Sequence, residues 1–240
     1  MLRFPRRATW VLLAVLAAGW TGIGLARMAG TTDRVLRTAS VVMPAGGRGI
    51  LVLSASNVRG SQPLRSTLTL VDAQGRERRL SPEAHYNFWD LSVGDVDGDG
   101  RQEVGLCTFS RTVHDPEYAR RYFVYAWTDD GDLEPIWRGS RLCRPYLSAE
   151  LADVNQDGRA ELVSVERGLG GGLMLVAYEW NQFGFWGLGH SEEIEGLVFL
   201  GCAADVPGAL VRVTRAGSEP TVEHWTLHQG TWRRNKNPKG

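Results

Sequence analysis

Hydrophobic and polar residues alternate along most of the chain after residue 37, in short segments separated by turns rich in Gly, Asp and Asn. A period of two places successive side chains on opposite faces of a β-strand. The segments YFVYAW at 122–127 and MLVAYEW at 174–180 are typical, and each precedes a turn and a second apolar segment. We find no amphipathic helical pattern of convincing length after residue 37. The pattern therefore predicts an all-β fold.

Two segments repeat each other in sequence and spacing. Residues 88–107 read FWDLSVGDVDGDGRQEVGLC and residues 146–165 read YLSAELADVNQDGRAELVSV, so that Asp95 and Asp153 correspond, 58 residues apart. A hairpin with a Trp before and after its turn follows each copy, and residues 37–87 and 187–237 hold weaker copies. Four units of about four strands each predict a β-propeller of about four blades over residues 37–237, because radial stacking buries both faces of each unit.

Oxygen-bearing side chains stand at alternate positions of both acidic segments. Positions 1, 3, 5 and 9, with a main-chain carbonyl at position 7, give Asp95, Asp97, Asp99, Glu103 and the carbonyl of Arg101 in the first segment. The second segment supplies Asp153, Asn155, Asp157, Glu161 and the carbonyl of Arg159. Hard oxygens at this spacing, with Gly at position 6 for a sharp turn, suit Ca²⁺, whereas Mg²⁺ keeps more water. The spacing predicts two calcium sites.

The calcium sites are expected between strands. An EF-hand needs Glu at position 12, where this chain has Leu106 and Ser164. Each like-charged pair at about 4 Å costs roughly 1 kcal/mol in water, so four carboxylates in the first loop favour a bound cation. The second loop has three carboxylates and the neutral Asn155, and we expect weaker binding there. Solvated surface turns are the other interpretation, which two copies in register disfavour.

The two acidic patterns also carry a family resemblance. D-x-D-G-D-G-x-x-E-V and D-x-N-x-D-G-x-x-E-L resemble the FG-GAP or VCBS-type repeats of integrin-α-like propellers and of many exported bacterial proteins. The resemblance covers residues 88–186 and is diffuse elsewhere: Val42 and Met43 stand where the first aspartates of an outer unit would be, and an FG-GAP tripeptide is absent. It implies calcium loops between the first two strands of a blade, in a domain used for adhesion or ligand binding.

The first 29 residues predict an apolar helix that acts as a signal-anchor. Arginines precede an uncharged segment at 8–26, which would span about 28 Å as a helix, close to the roughly 30 Å hydrocarbon core of a bilayer. Residues 30–36 are then a linker, and the positive-inside rule places the propeller outside the cytoplasm. A signal peptide cleaved after Gly24-Leu25-Ala26, giving a secreted domain, and a buried soluble helix are the alternatives.

Charge and cysteine content narrow the possible functions. Lys plus Arg and Asp plus Glu both total 27, which argues against a nucleic-acid partner, since such a protein needs a basic face. Cys107, Cys143 and Cys202 have no zinc-site spacing; they are either buried thiols or one disulfide with one free thiol.

We find no catalytic motif in the sequence. We therefore expect a calcium-stabilised, non-catalytic binding or scaffolding module for an unknown protein or glycan ligand, held at the membrane by its N-terminal helix. One alternative is a glycan-active hydrolase or lyase, which a pair of buried carboxylates at the propeller mouth, outside the two loops, would favour. The other is a structural subunit of an envelope complex.

Overall fold

The computed structural model describes residues 34–44, 46–59, 62–83, 85–112, 115–139, 141–201 and 208–235, with backbone alone over the described part of 57–64. All regular structure in these ranges is β. Its sixteen strands form four antiparallel sheets, and each sheet contains four strands that are consecutive in the sequence. This arrangement confirms the predicted all-β propeller of four blades.

The blades follow one another along the chain. Blade 1 contains β1 (Arg34–Val42), β2 (Arg48–Arg59), β3 (Gln62–Asp72) and β4 (Glu77–Leu80). Blade 2 contains β5 (Phe88–Gly94), β6 (Glu103–Ser110), β7 (Ala119–Trp127) and β8 (Leu133–Arg138). Blade 3 contains β9 (Tyr146–Ala152), β10 (Glu161–Arg167), β11 (Leu173–Trp180) and β12 (Phe185–His190). Blade 4 contains β13 (Leu197–Gly201), β14 (Ala209–Thr214), β15 (Thr221–His228) and β16 (Thr231–Asn235).

The hairpin turns form where the sequence predicts them. Between β7 and β8, the Gly131 N–H donates to the carbonyl of Thr128 at 2.9 Å, and Gly131 has a φ of 79°. Glycine adopts this left-handed conformation without a steric penalty. The turn therefore lets two apolar strands pair directly, with Trp127 opposite Leu133.

Three hydrophobic cores lie between successive blades. Leu51, Leu53 and Leu68 of blade 1 pack with Leu106 and Phe123 of blade 2. A second core joins blades 2 and 3, and a third joins blades 3 and 4. The two middle strands of blade 2 and of blade 3 are buried on both faces, because each of these blades packs between two others. This burial explains the apolar segments of β7 and β11, whereas the last strands β8 and β12 are partly exposed.

Only the last residues of the predicted N-terminal linker lie in the described part of the chain. The predicted helix at 1–29 and residues 30–33 of the predicted linker lie outside the described residues, whereas residues 34–36 of that linker belong to β1. The propeller strands thus begin three residues before residue 37. In the described part of the chain, no helix is long and apolar enough to cross a membrane.

Candidate metal centre

The two acidic segments form equivalent loops in neighbouring blades. Loop one (residues 95–103) leads from β5 into β6 of blade 2, and loop two (residues 153–161) leads from β9 into β10 of blade 3. Each loop therefore connects the first two strands of its blade, between strands as predicted. The last residue of each loop is already the first residue of the second strand.

The aspartates of loop one hold the loop in shape through its own amides. The two carboxylate oxygens of Asp95 accept the N–H groups of Gly98 and Gly100, at 2.7 and 2.8 Å. Asp97 and Asp99 each accept the amide two residues ahead, at 3.1 and 2.7 Å. These bonds fold the chain tightly enough to turn three carboxylates toward one another.

The three aspartates of loop one converge on a common point. One carboxylate oxygen from each of Asp95, Asp97 and Asp99 lies within 4.8 Å of the other two. Glu103 lies outside this group and is 3% exposed, with Oε2 accepting the Val96 N–H at 2.8 Å. Clustered carboxylates are the donors that Ca²⁺ prefers. Loop one thus fits a calcium ion through three of its four predicted side-chain ligands, with Glu103 beneath them.

Loop two repeats these hydrogen bonds with one difference. Asp153 accepts the amides of Gln156 and Gly158 at 2.6 and 3.1 Å, and Val154 N–H donates to Glu161 at 2.9 Å. These contacts match those of Asp95 and Glu103 in loop one. The common sequence pattern therefore produces a common loop geometry.

The difference lies at Asn155. The side-chain oxygen of Asn155 accepts the Asp157 N–H at 2.9 Å. The side-chain nitrogen of Asn155 donates to Asp157 Oδ2 at 3.1 Å and to Glu161 Oε1 at 3.0 Å. The acids of loop two do not converge as the three aspartates of loop one do, among the residues that the structure describes. A calcium ion in this loop would have to replace these two hydrogen bonds, and weaker binding in loop two stays a prediction.

The glutamate at the end of each loop is buried and has a perturbed pKa. Burial raises the pKa of Glu103 to about 7, and the nearby charges of Asp97, Asp95 and Asp99 add to this, whereas the Val96 N–H opposes it. Burial likewise raises the pKa of Glu161 to about 7. A bound cation would favour the ionised form of both groups.

Each loop also contacts the next blade. The Asp95 carbonyl accepts the Ala160 N–H at 2.6 Å, which links position 1 of loop one to position 8 of loop two. In the same way, the Asp153 carbonyl accepts the Gly208 N–H at 2.8 Å, just before β14 of blade 4. The two candidate sites therefore lie at the junctions between blades 2, 3 and 4.

The side chains of the two arginines at position 7 take different courses. Arg159 Nη2 lies 3.3 Å from Asp157 Oδ2, and its aliphatic part lies against Gly98 of loop one, where an added Cβ would be 3.0 Å from Arg159 Cδ. Arg101 instead donates to the carbonyl of Trp127 in its own blade, at 3.4 Å. Arg159 thus reaches across the blade junction, whereas the hydrogen bond of Arg101 stays within blade 2.

A charged group that the sequence did not reveal joins the first strands of three blades. Arg37 on β1 contacts Glu150 on β9, and Arg37 Nε lies 3.5 Å from Asp90 Oδ1 on β5. Burial raises the pKa of Asp90, and the charge of Arg37 opposes that shift. No local motif marks these residues, since Arg37 and Glu150 are 113 positions apart.

The two cysteines that the structure describes, Cys107 and Cys143, belong to no candidate metal group. Cys107 is buried and Cys143 is exposed, and both are free thiols. Cys202 lies outside the described residues. Burial raises the pKa of the Cys107 thiol well above its usual range, which makes it a weak nucleophile.

Comparison with known proteins gave no match, either to a family model or to a curated protein. The resemblance to FG-GAP and VCBS-type repeats therefore stays a prediction from the sequence.

Proposed function

We propose that this chain is a calcium-stabilised β-propeller of the FG-GAP or VCBS type, which acts as a binding or scaffolding module and not as an enzyme. The observation that carries the proposal is the convergence of Asp95, Asp97 and Asp99 within 4.8 Å at a blade junction. Loop two, with the same framework of hydrogen bonds, supports it. Calcium would hold the loops at the junctions, and the blades would present the ligand-binding surface.

The donor set supports calcium more than magnesium. Calcium takes six to eight oxygen ligands in flexible geometry, whereas magnesium demands near-octahedral geometry and keeps several waters. Three carboxylates and a main-chain carbonyl at position 7, with Glu103 below, supply several protein oxygens. In loop two, Asp153, Asp157, Glu161 and the Arg159 carbonyl would serve, and Asn155 would turn its carbonyl oxygen toward the ion.

The proposed location is outside the cytoplasm. Residues 1–29 would anchor the chain in a membrane, or would be removed to release the domain. The ligand would be a protein or a glycan. A loop that needs calcium suits this location, since extracellular calcium modules often have dissociation constants near 10⁻⁴–10⁻³ M.

Thermal unfolding of the purified full chain in mild detergent tests the calcium proposal. At a calcium concentration 100 times the dissociation constant, each occupied site should add about 2.7 kcal/mol relative to EDTA. Asp95→Ala and Asp153→Ala should each lose that gain at one site. Equal melting temperatures in EDTA and across a CaCl₂ series that reaches this excess would overturn the proposal.

Asp72→Ala is the matched control for those variants. Asp72 accepts the amides of Gln74 and Arg76 at 2.9 Å in the β3–β4 turn, as the loop aspartates do. Its loss should cost the same stability in EDTA and in calcium. The control separates loss of a hydrogen-bonded turn from loss of a metal ligand.

One observation favours a second candidate function, a glycan-active hydrolase or lyase. Asp90 and Glu150 are carboxylates outside the loops, on the first strands of blades 2 and 3, and both contact Arg37. Carboxylate pairs carry out glycoside hydrolysis. If the protein releases reducing sugars from a panel of polysaccharides, and if Glu150→Gln folds normally but loses this activity, the enzyme function is supported.

A structural subunit of an envelope complex would instead show a defined oligomer in light scattering.

A further inference from the structure

We propose that the outward face of blade 4 is a dimer interface, on which a second copy of this chain packs through the same face. The outward face is the side of the blade 4 sheet that points away from blade 3. Its side chains include Leu197, Phe199, Leu210, Arg212 and Val222. The proposal concerns assembly, needs no calcium and goes beyond the proposed function.

The first strand of blade 4 alternates between buried and exposed side chains. Val198 and Leu200 belong to the core that blade 4 shares with blade 3. Because successive side chains of a strand point to opposite faces, Leu197 and Phe199 point outward, and they are 59% and 48% exposed. Blade 4 therefore buries one face and leaves apolar side chains of the other in solvent.

The exposed apolar residues form one continuous patch across three strands. Phe199 lies opposite Arg212 of β14, and Arg212 lies opposite Val222 of β15, which is 54% exposed. Leu197 extends this row along β13 on the same face. The guanidinium carbon of Arg212 lies over the Phe199 ring, 4.8 Å from its centroid. Aromatic residues and arginine are enriched in protein interfaces, so the patch has the composition of a contact surface.

Blade 4 is the last of four packed repeats and does not end the series with a polar surface. In stacked-repeat proteins, the end repeats need a polar outer face for solubility. Among the described residues, hydrophobic cores join blades 1 and 2, blades 2 and 3, and blades 3 and 4, and none joins blade 4 to blade 1. Each of these cores forms between two sheet faces. A sheet face from a second copy therefore continues an interface that the chain already uses three times.

The outward face of blade 1, which points away from blade 2, is less suited to this contact. Val52, next to the core residue Leu51, lies on this face with Val71, and the two valines are only 3% and 7% exposed. Val42 is exposed at the end of β1. The exposed polar positions of this face include Thr38, Ser40, Arg48, Arg65 and Arg79. These arginines would meet Arg212 if blade 4 of one copy packed on blade 1 of another. Two blade 4 faces instead bury the most apolar surface, with the C2 symmetry that is commonest among homo-oligomers.

The size of the patch predicts a weak dimer. The strands of blade 4 contain 5, 6, 8 and 5 residues, so about a dozen side chains point outward. A standard protein interface uses roughly 20–30 residues on each side. We therefore expect a monomer–dimer equilibrium with a micromolar dissociation constant.

Sedimentation equilibrium of the full chain tests the proposal, in density-matched mild detergent with EDTA and a reductant. The protein mass of the wild type should rise from monomer to dimer between about 1 µM and about 500 µM, a range that spans micromolar dissociation constants. Phe199→Glu places a charge at the centre of the patch and should weaken dimerisation roughly 30-fold or more. Circular dichroism melts at low concentration check that this variant folds.

Two matched controls place the same charge elsewhere. Phe183→Glu changes a residue that is 89% exposed in the turn between β11 and β12 of blade 3, and Val42→Glu changes a residue that is 51% exposed on the outward face of blade 1. Both variants should dimerise as the wild type does.

Three results would overturn the proposal. One is a wild-type chain that stays monomeric throughout the series, because another segment of the chain or a different protein then covers the face. The second is a Phe199→Glu variant that dimerises as tightly as the wild type. The third is a loss in Val42→Glu equal to that in Phe199→Glu, which would show that blade 4 pairs with blade 1. The proposed function is unaffected by all three, since these measurements contain no calcium.

Discussion

Glu103→Gln should change the stability of the protein in opposite directions with and without calcium. Glu103 is 3% exposed and its pKa is raised to about 7, first by burial. Without calcium, its charge is buried near the three aspartates of loop one. Gln is nearly isosteric, keeps an oxygen that can accept the Val96 amide, and has no charge to desolvate.

The size of the effect follows from the pKa shift. The ordinary pKa of Glu is 4.5, so a folded-state value of about 7 corresponds to about 3 kcal/mol between the protonation states. A raised pKa means that the folded protein binds the proton more tightly than the unfolded chain. The stabilisation is then complete below pH 4.5 and is lost as pH rises through 7, with about 2 kcal/mol lost between pH 5.5 and pH 8.

A calcium ion bound as we propose would reverse this balance, because it would bind the ionised carboxylate. In EDTA at pH 8, where Glu103 is ionised, the Gln variant should be about 3 kcal/mol more stable than the wild type, or roughly 6–12 °C higher in melting temperature for a domain of this size. In saturating CaCl₂ it should be the less stable of the two. Thermal melts followed by circular dichroism at pH 5.5 and 8 measure all four conditions.

An exposed glutamate gives the control for this experiment. Glu134→Gln on β8 should change the melting temperature little in any of the four conditions. If Glu103→Gln destabilises the protein equally in EDTA and in calcium at pH 8, the buried charge near the metal site is not the cause, and the reasoning fails.

Three further predictions concern the blade junctions and the thiols. Gly94→Ala places a methyl group 2.6 Å from the Cβ of Ala160 and should lower the free energy of unfolding by about 1–3 kcal/mol through overpacking. Urea unfolding measures this loss, and an unchanged midpoint would contradict the contact. Arg37→Ala removes the arginine that Asp90 and Glu150 share and should lower the free energy of unfolding by about 1–3 kcal/mol. This loss is smaller than for a fully buried ion pair because the Arg37 side chain is 37% exposed; an unchanged free energy of unfolding would exclude a stabilising ion pair. Cys143 should react with maleimide in the native protein and Cys107 only after unfolding, as peptide mass spectrometry would show; early labelling of Cys107 would contradict its burial.

Local sequence patterns predicted the parts of the fold that depend on neighbouring residues. Asp95 and Asp153 revealed the blade register, since a loop that bonds its own amides needs only residues within nine positions of one another. The hairpin turns were equally local, as at Gly131. The first strand was harder to place, because RVLRTASVV begins with residues of mixed polarity and β1 starts at Arg34.

Contacts between residues far apart in the chain had no signature in the sequence. The Arg37 cluster forms only when β1, β5 and β9 come together. Glu193 similarly accepts the amides of Gly170 and Gly172, more than twenty positions earlier, and an added Cβ on Gly168 would lie 2.0 Å from its carboxylate. The glycines lie against a partner that local reasoning cannot identify. Such residues are recognised only when the tertiary structure is known.

The position of valine in both loops limits what calcium contributes to folding. Val96 and Val154, at position 2, are 1% and 0% exposed and belong to the cores between blades 2 and 3 and between blades 3 and 4. Burial of a Val side chain contributes about 1.5–3 kcal/mol, comparable to the gain from one calcium site at 100 times its dissociation constant. Each loop is thus held at its base by a hydrophobic contact that needs no metal. Removal of calcium should therefore loosen the aspartate-bearing tips of the loops while the four sheets and their cores persist, and hydrogen exchange should increase at residues 97–101 well before it increases in β6 or β10.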